Sequence, residues 1–265
     1  MQNAFGYLCL SHEAGDVGVL LLYAFWAAPT TFFQSDLSNQ FIGKKLGQFG
    51  ILMWNVCIFS HLFITINRFL AIFFPFRYRT FFNGPGTVIY ITLVWIIAFC
   101  NIIPYFHEDC YFYFNTSSYL WHFAETTCGG GLLYNDFLVG IAYMVVMIVI
   151  NLITFLRIQI IKARILQGDP AHHFDHNHRR EVRFFAQTCC QGVLFILKLF
   201  NFYYLSTLSE GKWYKFATVT FAWQTCHVLD GVILIVFSRK VHLANSVYAS
   251  NSRLRENSIF HTRNY

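Results

Sequence analysis

Four charged side chains stand where the surrounding residues offer nothing to solvate them. Asp16, Lys198 and Asp230 lie inside long apolar stretches, and Arg68 closes a run from Leu46 to Asn67 that contains no Asp, Glu, Lys or Arg. Each ionisable group inside a membrane span costs about 2.5–3.5 kcal/mol on insertion scales, so each is a functional candidate expected to face the bundle interior. A polar pair of Asp16 with Asp230, bridged by water or a cation, is one reading; two separately satisfied groups is the other. Lys198 stands about 14 residues, roughly 21 Å, into a helix entering at Phe184. There it either attracts an acidic or carbonyl ligand or snorkels toward the outer headgroups. Other chemistry has no motif here. We find no His-Glu-x-x-His, no Gly-x-Ser-x-Gly and no catalytic Cys and His pairing, so neither an enzyme nor a cofactor is expected. His172, His173, His176 and His178 lack regular helical spacing and read as a solvated loop, with no metal site.

The elements that position these groups follow from composition. The chain has 265 residues, 56% of them hydrophobic and only 12% charged. A soluble domain would carry about 25% charged residues, which excludes a single water-soluble globule. The 31 Phe, 15 Tyr and 6 Trp exclude a disordered chain. A spanning helix needs about 20 mostly apolar residues. Three runs meet this outright and three more if Asp16, Lys198 and Asp230 are tolerated inside. The six expected spans are about 5–33, 46–74, 87–106, 132–156, 184–208 and 214–238, forming one membrane domain over 1–240, with a polar tail over 241–265.

Lys and Arg set the orientation, because short loops rich in them stay in the cytoplasm. None occurs from Thr80 to Leu156, whereas six lie from Arg157 to Arg183, and Arg68, Arg77, Arg79 and the tail arginines fall on the same side. Both ends are then cytoplasmic, and the net charge of +6 is a topology signal that gives no support to a nucleic-acid partner. Cys110 and Cys128 share the long outer loop His107 to Asp136, where oxidation is possible. A disulfide there would close 17 intervening residues and contribute about 3 kcal/mol in the chain-entropy model. The acceptor triplet Asn115-Thr116-Ser117 lies in the same loop. Gly129-Gly130-Gly131 reads as a flexible return into the next helix.

At the inner end of the second span stands Asn67-Arg68-Phe69-Leu70-Ala71-Ile72-Phe73-Phe74-Pro75-Phe76-Arg77-Tyr78. It resembles the Asp-Arg-Tyr segment of rhodopsin-like G-protein-coupled receptors, with Arg68, the Ala-Ile pair, Pro75 and Tyr78 at the family's spacing. The wider pattern is similar to the nematode serpentine chemoreceptors of class x: Phe5-Gly6-Tyr7-Leu8-Cys9-Leu10-Ser11-His12, Phe25-Trp26 before Pro29, Ser60-His61-Leu62, Trp95, the loop pair Cys110 and Cys128, Trp223, His227 and Asp230-Gly231.

The resemblance implies an all-α, polytopic membrane bundle of the rhodopsin-like type. Such a receptor detects an extracellular small molecule and activates a heterotrimeric G protein from the plasma membrane of sensory cells. It implies coupling through Asn67, Arg68, Phe69, Pro75 and Tyr78, an interior role for Asp16 in linking helices and helping to hold a cation, and a place for Lys198 in the outer, ligand-binding half. The family has seven helices and this chain shows six, so it looks like a receptor lacking helix one. Asn67 replaces the family's Asp, so the adjacent ion pair that would restrain Arg68 is absent and a weaker lock is expected. The segment at Asp230 lacks the family's Pro and Tyr, and the activation hinge does not carry over. The rival readings are a transporter or channel component, which should show a repeat between halves, and a truncated receptor that does not signal.

Overall fold

The computed structural model describes residues 2–167 and 176–237. His172 and His173 fall outside this range, as does the polar tail, whereas His176 and His178, expected in a loop, lie in the first turn of a helix that begins at His176. The helices are α1 (Gln2–Leu22), α2 (Ala28–Phe32), α3 (Phe41–Phe73), α4 (Pro75–Phe81) and α5 (Gly84–Ile102), then a hairpin of β1 (Phe112–Asn115) and β2 (Leu120–Phe123). After it come α6 (Thr127–Leu166), α7 (His176–Tyr203), α8 (Lys212–Lys215) and α9 (222–237). Among the described residues six helical stretches are long and apolar enough to span a bilayer: Ala4–Phe32, Phe41–Phe73, Gly84–Phe106, Thr127–Ile165, Arg179–Thr207 and Lys212–Phe237. They form a polytopic helical bundle.

The bundle is built for lipid, with polar groups inside and bare apolar faces outside. α3, with 33 residues, is about 50 Å long at 1.5 Å per residue and runs through the centre against α1, α5, α6 and α7. Its buried residues include Asn55, Ser60, His61, Thr65, Asn67 and Arg68. By contrast α5 and α6 expose Val88, Ile89, Ile96, Val145, Val149 and Leu152. In hydrocarbon an unpaired polar group costs several kcal/mol, so the polar groups collect where they can pair with one another.

Proline and capping residues set the breaks. Pro75 opens α4, where its missing N–H costs nothing. Asn83 accepts from Gly86 N to start α5 and Thr126 accepts from Gly129 N to start α6. Between α1 and α2 the chain widens into a π-helical turn, Tyr23–Ala27. Pro29, which lacks an N–H and would crowd the carbonyl four residues earlier, follows at once. A second π turn, Phe216–Phe221, joins α8 to α9.

The loop between α5 and α6 is more ordered than its sequence indicated. Phe112 pairs with Phe123 and Asn115 with Leu120 in an antiparallel hairpin. Gly129, Gly130 and Gly131, expected to form a flexible return, lie instead in the first turns of α6. The Thr126 cap and its bond to Asp109 O (2.6 Å) begin that helix early. A disulfide joins Cys110 to Cys128 with Cα atoms 5.2 Å apart. His122 bonds Ser118 Oγ at 2.8 Å, and burial pulls its pKa below the ordinary imidazole value.

The hairpin rests directly on α3. A methyl group added at Gly47 would meet Phe112 O at 1.7 Å, whereas one added at Gly6 meets nothing within 4 Å. Gly47→Ala should therefore lift the hairpin and lower stability by about 1–3 kcal/mol, while Gly6→Ala should leave it within about 0.5 kcal/mol. Melting midpoints in nanodiscs compare the two. Equal midpoints would mean that the hairpin is not seated on α3.

Asn115 ends β1 at the hairpin turn, where its Oδ1 accepts from Ser117 N (2.8 Å) and Ser118 N (3.2 Å). If this side is the outer one, Asn115 should be glycosylated on insertion into microsomes, with a glycosidase-sensitive mass shift that Asn115→Gln removes. An unmodified, protease-exposed loop would reverse the assigned orientation.

Candidate functional site

Two buried polar sites sit on α3, one near its C-terminal end and one at mid-height. At the C-terminal end Arg68 is held from every side. Its Nη1 donates to Glu181 Oε2 on α7 at 2.5 Å, its Nε donates to Asn67 Oδ1 at 3.0 Å, and its Nη2 donates to Asn67 Oδ1 and, at 3.3 Å, to Tyr78 OH. Asn67 Nδ2 donates in turn to Tyr78 OH at 3.1 Å. The guanidinium lies over the Phe5 ring at 4.2 Å and the Phe184 ring at 5.3 Å, a placement that adds cation–π attraction. The side chain is 1% exposed.

Asn67 leaves Arg68 without an adjacent acid, but an acidic partner comes from α7 as Glu181, and Asn67 serves as a further acceptor. Glu181 gave little signal in sequence, lying among Arg179, Arg180 and Arg183, and the bond spans 113 positions. The other residues of the motif take different places. Phe69 stacks on Phe73 at 4.5 Å, Pro75 is exposed, and Tyr78 is buried and stacked on Phe82 at 5.0 Å.

At mid-height α1, α3, α5, α7 and α9 contribute to a second network. Asp16 Oδ1 accepts from His227 Nδ1 at 2.5 Å and from Cys57 Sγ at 3.3 Å, and Asp16 Oδ2 faces His12 Nε2 at 3.4 Å. Lys198 Nζ pairs with Asp230 Oδ2 at 3.4 Å and lies 5.4 Å from the centre of the Trp54 ring. Ser11 and Ser60 share a bond of 3.1 Å, and Trp95 Nε1 donates to Ser11 Oγ at 3.2 Å. Asp16 and Asp230 are thus separately partnered, the first by imidazoles and a thiol, the second by an ammonium. Lys198 is turned into the bundle and does not snorkel. In the sequence Asp16, Lys198 and Asp230 stand out as interior, whereas Cys57 reads only as a small apolar residue. For His12 the i, i+4 spacing to Asp16 was a visible signal.

Above this network lies a cavity of about 30 Å³, lined by Trp54, Phe112, Asp136, Lys198, Tyr203 and Trp223 among others. Tyr203 OH donates to Asp136 Oδ2 at 2.8 Å on its wall. A larger groove of about 760 Å³ opens between the first and last spans. Tyr23, Ala27, Phe216 and Thr220, from the two π turns, line it, and no charged residue among those described does. Thr220 Oγ1 ties its upper rim to the hairpin by donating to Tyr119 O at 2.6 Å.

The family model for the serpentine type 7TM GPCR chemoreceptor Srx matches residues 1–238. The chain belongs to that family. It is similar to Serpentine receptor class X 45 of Caenorhabditis elegans, with 26% identity over 256 residues covering 91% of this chain and 71% of that receptor. It is also similar to Serpentine receptor class X-43 of the same nematode, with 24% identity over 208 residues covering 75% of this chain and 63% of that receptor. This Srx chain is accordingly a multi-pass membrane protein of the chemoreceptor type. The family's description counts seven helices, and six lie among the described residues of this chain.

Proposed function

We propose that this Srx chain is a chemosensory receptor that binds an extracellular small molecule and activates a heterotrimeric G protein at the plasma membrane of sensory cells. The observation that supports this best is the Arg68 site. A guanidinium is enclosed at the inner end of the central helix by groups from α1, α4 and α7. A charge this completely enclosed contacts no soluble partner until α7 moves away and releases it. Holding Arg68 therefore holds the inner ends of the second and fifth spans together, and the signal consists in parting them.

Lys198 supplies the link to the outer half. It lines the small cavity and is also bonded to Asp230 on α9. An acidic or carbonyl ligand reaching its ammonium competes with Asp230 for the same charge, which changes how α7 and α9 are held. The cavity of about 30 Å³ has room for a water molecule, so entry of a ligand and a shift of these helices are one event. The apolar groove offers volume but no charged group to orient a polar ligand.

The test is nucleotide exchange on heterotrimeric G proteins, in membranes from cells expressing this chain at matched surface levels. Arg68→Ala should abolish receptor-dependent exchange, whereas Arg253→Ala should change it little. Undiminished exchange in Arg68→Ala would end the coupling assignment.

A further inference from the structure

We propose that His12, Asp16 and Cys57 form a binding site for a zinc-type transition-metal ion in the middle of the membrane, between α1 and α3. His12 Nδ1 lies 3.1 Å from Cys57 O, a carbonyl that only accepts, so Nδ1 carries a proton and Nε2 is the ring nitrogen left to bind another group. That nitrogen faces Asp16 Oδ2 at 3.4 Å. Neither atom has a hydrogen-bond partner among the described residues, and His12 and Asp16 are 3% and 2% exposed. A ring nitrogen and a carboxylate oxygen placed this close in a low-dielectric interior call for a positive charge between them, either a second proton on the imidazole or a cation.

The surroundings show which positive charge fits. Asp16, Asp230 and Glu13 neighbour one another, and the ammonium among them, Lys198, is bonded to Asp230. Lys198 thus makes its bond to Asp230, and the groups in direct contact with Asp16 are His12, His227 and Cys57. Cys57 Sγ lies 3.3 Å from Asp16 Oδ1, and the three ligand atoms lie within 4.8 Å of one another. Tetrahedral zinc, with bonds of about 2.0–2.3 Å, places its ligands about 3.3–3.7 Å apart. A nitrogen, a carboxylate oxygen and a sulfur suit zinc and its neighbours, whereas hard cations take oxygen ligands.

The supporting structure is that of a built site. His12 and Asp16 stand one helical turn apart on α1, the i, i+4 spacing by which helices present two metal ligands. His227 Nδ1 donates to Asp16 Oδ1 at 2.5 Å, the kind of outer bond that orients a ligating carboxylate. Gly15 admits the thiol, since a methyl group there would stand 2.6 Å from Cys57 Sγ. Binding is balanced by one proton: the ion takes the sulfur as thiolate and the thiol proton leaves to solvent, with the fourth position left for water.

The full chain, purified in nanodiscs with one equivalent of Zn²⁺, tests this by X-ray absorption at the zinc edge. We expect one sulfur at about 2.3 Å together with nitrogen and oxygen neighbours at about 2.0–2.2 Å. Cys57→Ser should remove the sulfur, and His227→Gln should weaken binding about 10–100-fold. Replacing Cys189 and Cys190 together by Ser should leave the spectrum unchanged, an arm that stands even if Cys57→Ser fails to fold. The proposal is overturned if the native chain shows no sulfur neighbour, if sulfur persists in Cys57→Ser, or if it is lost with Cys189 and Cys190. The absence of saturable Zn²⁺ binding, or equal thermal stabilisation by Na⁺ and Zn²⁺, overturns it too.

Discussion

Glu181→Gln is expected to raise ligand-independent nucleotide exchange by about ten- to a hundredfold. The substitution keeps the side chain's size and removes its charge. The bond from Arg68 Nη1, at 2.5 Å, then becomes an ordinary one. A hydrogen bond to a charged group contributes about 1.5–3 kcal/mol, and each 1.4 kcal/mol is a factor of ten in population. Asn67, Tyr78 and the two phenylalanine rings stay in place, so the released form gains population without the receptor losing its fold. The sign is opposite to that of Arg68→Ala, although both variants break the same pair, because the arginine is the group needed once the helices part. Basal exchange at matched surface expression measures it. A basal rate equal to the parent's would show that the Arg68 to Glu181 bond is not what holds the inactive state.

Lys198→Met should destabilise the bundle by about 3–5 kcal/mol, since removing one partner of a buried pair strands the other charge. Asp230 is 2% exposed and its Oδ1 has no partner among the described residues, so with the ammonium gone it has nowhere to turn. The double variant Lys198→Met with Asp230→Leu should regain most of that loss, because an apolar pair of similar volume removes both desolvation penalties. Thermal unfolding in nanodiscs gives all three values. A double variant as unstable as the single one would mean that Lys198 acts through its packing on Trp54 and not through its charge. In the exchange assay the double variant should fold and yet fail to respond to ligand, which separates a stability role from a signalling role.

The parts legible in sequence were those set by one residue type at a time. Runs without Asp, Glu, Lys or Arg marked the spans, because hydrocarbon excludes charge whatever the fold. Asp16, Lys198 and Asp230 announced themselves as interior for the same reason. What escaped was set by pairs. Glu181 is one charge among arginines until α7 is laid against α3, and Cys57 is one apolar thiol among several until Gly15 brings it to Asp16. The hairpin was hidden because its strands are four residues each and rest on α3 at Gly47, not on a pattern of their own. The early start of α6 was hidden by three glycines, poor helix formers that a threonine cap and a disulfide nevertheless bring into a helix.

The two π turns give the receptor an independent adjustment of its outer half. Each holds one residue more than the α-helical turn it replaces, so the side chains beyond it are rotated by about 100° relative to an unbroken helix. Deleting a single residue at Tyr23–Ala27 or Phe216–Phe221 would restore α-helical phase and turn a different set of side chains toward the groove. Everything inward of the turn, including the Arg68 site, would keep its register. A one-residue change of length at either place would therefore reshape the wall of this groove while the Arg68 site stays as it is.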